Sequence, residues 1–188
     1  EVLNQRRTWG AAVEAATHPI ASPSRRQGGD GRIRVGILSD GLRQTSLGAF
    51  VWPLFAHLDR DRFELYAYSR WTGDSDPIQE AFADMASAFR RLPCVSNRSI
   101  AGQIAEDRLD MLVEIGDPSG WLVAAHRPAP LQASWMGYPN PSGAPAIDHI
   151  IVDRFVRPAD PELLIEPPLT LRGSWLAMSG AYFEEDPR

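Results

Sequence analysis

From Arg32 onward, short apolar runs alternate with segments of helical spacing. The runs at 33–38, 63–68, 89–92, 111–115, 131–136 and 147–152 predict strands, and the stretches 48–58, 77–86, 99–108 and 121–125 between them predict helices. Apolar runs with little polar alternation belong to a sheet covered on both faces, which means parallel strands joined by right-handed crossovers. The expected fold class is therefore α/β, a Rossmann-like parallel sheet with helices on both faces. Ahead of it, Val2, Leu3, Trp9, Val13 and Ala16 recur at helical spacing until His18-Pro19 ends the run. This predicts a lone helix over 1–17 without a core of its own, belonging to a region upstream. The Gly, Ser and Pro composition of 18–31 reads as a linker, and 32–188 as the domain, with a strand or two and loops after Pro158.

Composition narrows the function. The 188 residues, 44% apolar and with six Trp, suffice for one sizeable core and fall short of two. Nineteen basic against 24 acidic residues give a net charge of −5, no excess with which to neutralise a phosphate backbone, so no nucleic-acid partner is expected. No apolar run approaches the ~20 residues of a spanning helix, and the first residues lack a signal-peptide core. Neither a membrane partner nor secretion is expected, and a cytoplasmic location is the simplest reading. Cys94 is alone, which excludes disulfide scaffolds and cysteine-rich zinc sites within the chain.

In an open parallel sheet the ligand crevice lies outside the carboxyl ends of the strands, so the informative loops are those that follow strands. Gly28, Gly29 and Gly31 precede the first strand and cannot form a dinucleotide fingerprint. After the first strand, the run from Ser39 to Gly48 offers Asp40, Gln44 and Thr45, with Thr45 or Ser46 able to cap the next helix. It suits a polar ligand, and equally a plain turn in which Ser39 and Asp40 satisfy backbone donors. Asp117, in Gly116-Asp117-Pro118-Ser119, suits a base or, more simply, an Asx-turn. A third loop is the most unusual: Arg127-Pro128 leads in through an extended segment, Tyr138-Pro139 stops the strand, and Gly137 and Gly143 leave room for close backbone approach. His18, His57, His126 and His149 each read as structural.

The string Arg127-Pro128-Ala129-Pro130-x-Gln132-x-x-Trp135-x-Gly137-Tyr138-Pro139-x-x-Ser142-Gly143, followed by Asp148-x-x-Ile151-x-Asp153, closely resembles the protein O-GlcNAc transferase and SPINDLY family of glycosyltransferases. So do the opening strand from Arg32 to Ser39, Arg43-Gln44 and the strand after Asp61. The resemblance covers about 32–172 and implies the first lobe of a two-lobed GT-B enzyme preceded by tetratricopeptide repeats, with 1–17 as the helix that trails those repeats. It implies transfer of a sugar from a nucleotide-sugar donor, held by a second lobe, to Ser or Thr of protein acceptors, with no metal and no further cofactor. The positions it puts on the sugar and acceptor side are Gln44, Thr45, Gly137, Tyr138 and Pro139. With Asp40 from the same turn, the expected catalytic groups are Asp40 and Thr45, and the expected substrate contacts are Gln44, Gly137, Tyr138 and Pro139.

The chain departs from the family pattern in two loops. Gly41-Leu42 and Thr45-Ser46 stand where relatives show Asp-Phe and His-Pro, and Gly116-Asp117-Pro118-Ser119 replaces a longer Gly-His-Thr loop. A threonine cannot stand in for an imidazole as a proton carrier near neutral pH. A flagellin-type transferase using a different sugar, or a non-catalytic descendant that binds proteins through the same crevice, are the alternatives this raises.

Overall fold

The computed structural model describes residues 1–20, 31–92, 95–116, 118–136 and 141–178. A seven-stranded sheet runs in the order β3-β2-β1-β4-β5-β6-β7, built from β1 (Ile33–Leu38), β2 (Phe63–Ser69), β3 (Ala88–Arg91), β4 (Met111–Ile115), β5 (Leu131–Trp135), β6 (His149–Asp153) and β7 (Pro168–Leu171). Every pairing is parallel, as unalternated apolar strands require. The chain moves outward from β1 to β3, then returns to lay β4 on the other side of β1. That reversal creates a switch point between the carboxyl ends of β1 and β4, where a crevice opens in such sheets.

The helices are α1 (Val2–Ala16), α2 (Ser46–His57), α3 (Pro77–Met85), α4 (Asn97–Glu106) and α5 (Pro118–Ala124). α2 and α3 cover one face, where Val51, Phe55 and Phe82 pack on Ile37, Leu65 and Val113. Phe82 stands edge-on to both Trp52 and Phe55, with centroids 5.3 and 4.8 Å apart. α4 and α5 cover the other face, placing Ile100, Ile104 and Val123 against Leu38, Tyr68 and Leu112. Local signals set the helix starts. Asp76 accepts from the N–H of Gln79 ahead of Pro77, and Ser96 accepts from that of Ser99. Beyond Pro158 the described chain forms a short 3-10 turn (Pro161–Leu163) and β7, in line with the expected strand or two.

The lone amino-terminal helix forms as predicted and lies against the sheet domain. Trp9 packs on the cluster of Trp121, Ala124, Ala144 and Ile147, and the chain after α1 is tied down where Ile20 N–H donates to the His126 carbonyl at 2.8 Å. One local expectation is corrected. Arg127 is not extended before Pro128 but adopts φ +53°. That conformation costs about 1–2 kcal/mol. It is held because the Arg127 guanidinium grips both oxygens of Asp148, at 2.8 and 2.7 Å, while its N–H closes the end of α5 on the Ala124 carbonyl.

Candidate active site

Three loops meet at the carboxyl edge of β1, β2 and β4. The first, from Ser39 to Thr45, is a tight turn built on its own side chains: Ser39 Oγ accepts from Gly41 N–H at 3.0 Å. Thr45 is the N-cap of α2, its Oγ accepting from Gly48 N–H at 3.0 Å and donating to the Gly41 carbonyl at 2.9 Å. The turn folds so closely over the helix that a Cβ at Gly48 would stand 2.2 Å from the Arg43 carbonyl oxygen. The hydroxyl of Thr45 is thus engaged in shaping the turn, and Gln44 at its tip is exposed.

The loop after β2 is stitched to this turn. Asp40 Oδ1 accepts from Arg70 N–H at 3.0 Å, and Asp76 divides its carboxylate between Gln44 N–H at 3.0 Å and the α3 cap at 2.8 Å. The Arg43 guanidinium lies 3.8 Å from the centroid of Trp71, close enough for a cation–π contact. From the β2 loop, Arg70 Nη1 reaches across to Ser119 Oγ at 2.6 Å, joining the first turn of α5, just beyond β4. Arg43, Gln44, Arg70, Trp71 and Ser119 are each exposed or half-buried, so the junction presents cationic, amide, hydroxyl and aromatic groups to solvent on one edge. Groups of these kinds have the chemistry to hold a polar, hydroxyl-rich or anionic ligand. Sequence reading singled out the loops after β1 and β4 but passed over Arg70, Trp71 and Asp76, although the same carboxyl-end rule points to the loop after β2. Asp76 stands immediately before the helix expected over 77–86, and its hold on Gln44 comes from a separate loop.

The third predicted loop leaves β5. Asp117, Gly137, Tyr138 and Pro139 lie outside the described residues; the approach to the corner through Met136 (φ +48°) and the exit from Pro141 to Ala144 lie within them and are buried. β5 is two strands from β1, roughly 9–10 Å along the same edge. The motif residues on either side of the corner are tied to the rest of the sheet domain. Gln132, fully buried, donates from Nε2 to the carbonyls of Ala124 and Ala146 at 2.9 and 2.8 Å, and its N–H donates to Asp148 at 2.8 Å. Trp135 Nε1 donates to the Trp175 carbonyl at 3.1 Å. Burial pushes the Asp153 carboxyl up, but the N–H donors of Trp175, Val156 and Phe155 outweigh it and hold the carboxyl below its ordinary value. The imidazoles serve backbone contacts where the structure shows one: His126 Nδ1 lies 3.1 Å from the His18 carbonyl and His149 Nδ1 3.2 Å from that of Pro167. Among the described residues no group of His, Cys, Asp and Glu side chains is arranged to hold a metal ion, and no helix is long and apolar enough to cross a membrane.

With the edge described, comparison with known proteins decides the family. The sequence model of Glycosyl transferase family 41 matches residues 14–163. The chain belongs to glycosyltransferase family 41. Within it, the chain is 30% identical over 145 residues to a probable UDP-N-acetylglucosamine–peptide N-acetylglucosaminyltransferase SEC of Arabidopsis thaliana, covering 76% of this chain and 15% of that protein. The corresponding enzyme of Caenorhabditis elegans is 29% identical over 133 residues, 68% of this chain and 11% of its own length. A mutant O-GlcNAc transferase from Thermobaculum terrenum shares the fold, with a TM-score of 0.76 and 24% identity over 93% of this chain and 34% of that structure. The chain thus spans a small part of its family 41 relatives. The resemblance read from the Gly-Tyr-Pro corner and the opening strand is borne out, as is the α/β fold with its parallel sheet; nothing in the comparisons favours a flagellin-type enzyme.

Proposed function

We propose that the chain is the amino-terminal lobe of a protein O-glycosyltransferase, which moves a sugar from a nucleotide-sugar donor to Ser or Thr hydroxyls of protein acceptors. The observation that carries the reading is the stitched junction at the sheet's carboxyl edge, where Asp40 holds Arg70, Asp76 holds Gln44 and Arg70 holds Ser119, in a chain of glycosyltransferase family 41. A second lobe, outside this chain, would bind the nucleotide and face that edge, and α1 would follow helical repeats that present acceptors, in a cytoplasmic enzyme. The acceptor oxygen would attack the anomeric carbon as the bond to the donor's diphosphate breaks, inverting the configuration.

In this reading the lobe works by positioning and hydrogen bonding more than by a strong base. Gln44, with its backbone pinned by Asp76, offers a neutral amide to a sugar or peptide. Arg43 and Arg70 offer charge to the anionic side of the donor. Asp40 keeps the first turn registered on the second loop, and Thr45 shapes the turn that carries Gln44. Gly137, Tyr138 and Pro139 complete the acceptor side. The names of the relatives make UDP-N-acetylglucosamine the first donor to supply. Full-length protein, incubated with a nucleotide-sugar panel and candidate acceptor proteins, should modify Ser or Thr in an intact-mass assay, and Gln44→Ala should reduce the rate by about tenfold or more. Absence of both transfer and donor hydrolysis across the panel would overturn the reading in favour of a protein-binding descendant.

A further inference from the structure

α1 and the leg that leaves the Gly-Tyr-Pro corner meet backbone to backbone. A Cβ on Gly10 would stand 1.6 Å from the Gly143 carbonyl oxygen, and one on Gly143, at φ +72°, would stand 2.5 Å from the Arg6 carbonyl oxygen. Neither space admits a side chain, so a pair of glycines permits the approach. The same stretch of helix is fastened to α5, with Trp9 edge-on to Trp121 at 5.9 Å and the Arg6 guanidinium 5.3 Å from the centre of that ring.

The leg is also held by Glu166, which precedes β7 and is 4% exposed. Its Oε1 accepts from Gly143 N–H at 2.8 Å and from the Ser142 hydroxyl, whose oxygen in turn accepts from Ala144 N–H at 2.9 Å. Oε2 is buried and has no hydrogen-bond partner among the described residues. A buried carboxyl group is a costly way to fill space unless its hydrogen bonds do something for the fold. What this one does is fix three consecutive residues of the segment that connects β5 to β6.

We propose that Glu166 is a positioning residue: it and Gly10 of α1 both hold the 142–144 leg, so that the seating of α1 sets the place of that leg, which follows the expected acceptor-side residues in the chain. Close-packed contacts transmit displacement, and misplacement of a positioning element by about 1 Å costs up to about 100-fold in rate. The effect on turnover rests on the transferase reading above; the clamp itself does not.

The test uses the full-length protein with the variants Gly10→Ala, Glu166→Ala and Glu166→Gln, and reads two quantities: amide hydrogen exchange over 141–146, and kcat and KM with UDP-N-acetylglucosamine as donor. The expected result is exchange at Gly143 and Ala144 faster by about tenfold or more in Gly10→Ala and Glu166→Ala, with strands β1 and β4 unchanged. The kcat should fall about tenfold or more while donor KM stays within about twofold, and Glu166→Gln, which keeps an acceptor oxygen, should sit between wild type and Glu166→Ala on both readouts. Unchanged exchange in the leg, exchange rising evenly through the sheet, or an unaltered kcat in variants whose leg has loosened would each overturn the proposal. If the wild type transfers nothing, the transferase reading falls, and the exchange pattern still decides the clamp, a selectively loosened leg supporting it and an unchanged one refuting it.

Discussion

Asp107 ties together three strands from the end of α4. Its carboxylate accepts from Arg90 Nε at 2.7 Å, from Arg90 Nη2 and from Tyr68 Oη at 2.7 Å, and its backbone carbonyl accepts from Arg34 Nη1 at 2.9 Å. Burial pushes its carboxyl up, but the hydrogen bonds from Arg90 and Tyr68 outweigh that and hold it below the ordinary value; burial and the same bond push the Tyr68 hydroxyl up. A depressed carboxyl stabilises the fold above its unfolded value, about 3.9, and that stabilisation fades as pH drops through the lower folded value. Asp107→Asn should therefore cost about 1.5–3 kcal/mol at pH 7 by urea unfolding, and its deficit against wild type should shrink below about pH 4. A deficit that held constant down to pH 3 would show the charge to be irrelevant. Nothing in the sequence marks Asp107 for this task, because Tyr68 and Arg90 reach it only when β2 and β3 pair beside α4.

At the scale of elements, the two turns that matter most differ in how they are held. The β1–α2 turn is local: Thr45, Gly41 and Gly48 lie within eight residues, and the cap was legible from spacing alone. Thr45→Ala should destabilise by about 0.5–2 kcal/mol in thermal melts, and Thr45→Ser should recover most of that, since a second cap oxygen does the same work. If Thr45→Ser abolished transfer while keeping full stability, the methyl-bearing side chain would have a role beyond the cap. The segments leading into β5 and on to β6 are instead held from a distance, by Asp148 on Arg127, by Gln132 on Ala124 and Ala146, and by Glu166 on Ser142 and Gly143. Their motif residues could be quoted as a string, and the reason for each was not readable, because the partners come from other elements. The extended approach expected at Arg127 failed for that reason: a proline rule acts locally, and a bidentate ion pair to Asp148 overrides it.

Over the whole molecule, α1 is the element that the sequence assigned to a region upstream. Its spacing announced a helix with no core of its own, and the structure provides one on Trp121, Ala144 and Ile147. Removing residues 1–17 uncovers that cluster and the buried exit leg of the corner, so the shortened chain should lose about 2 kcal/mol or more and bind a hydrophobic dye that the longer chain does not. Equal stability with no dye binding would make α1 a passenger. The alternation of strands and helices and the parallel sheet were determined by the sequence itself, since they follow from side-chain period and chain handedness, which act over a few residues at a time. What only the tertiary structure decided is which polar groups meet: at the carboxyl edge Asp40 with Arg70, Asp76 with Gln44 and Arg70 with Ser119, and, ahead of β7, Glu166 with the leg beneath α1. Those pairs join residues 23 to 49 positions apart. Hydrogen-bond geometry of that kind depends on strand order and register, which emerge only when the separate elements have packed into one sheet.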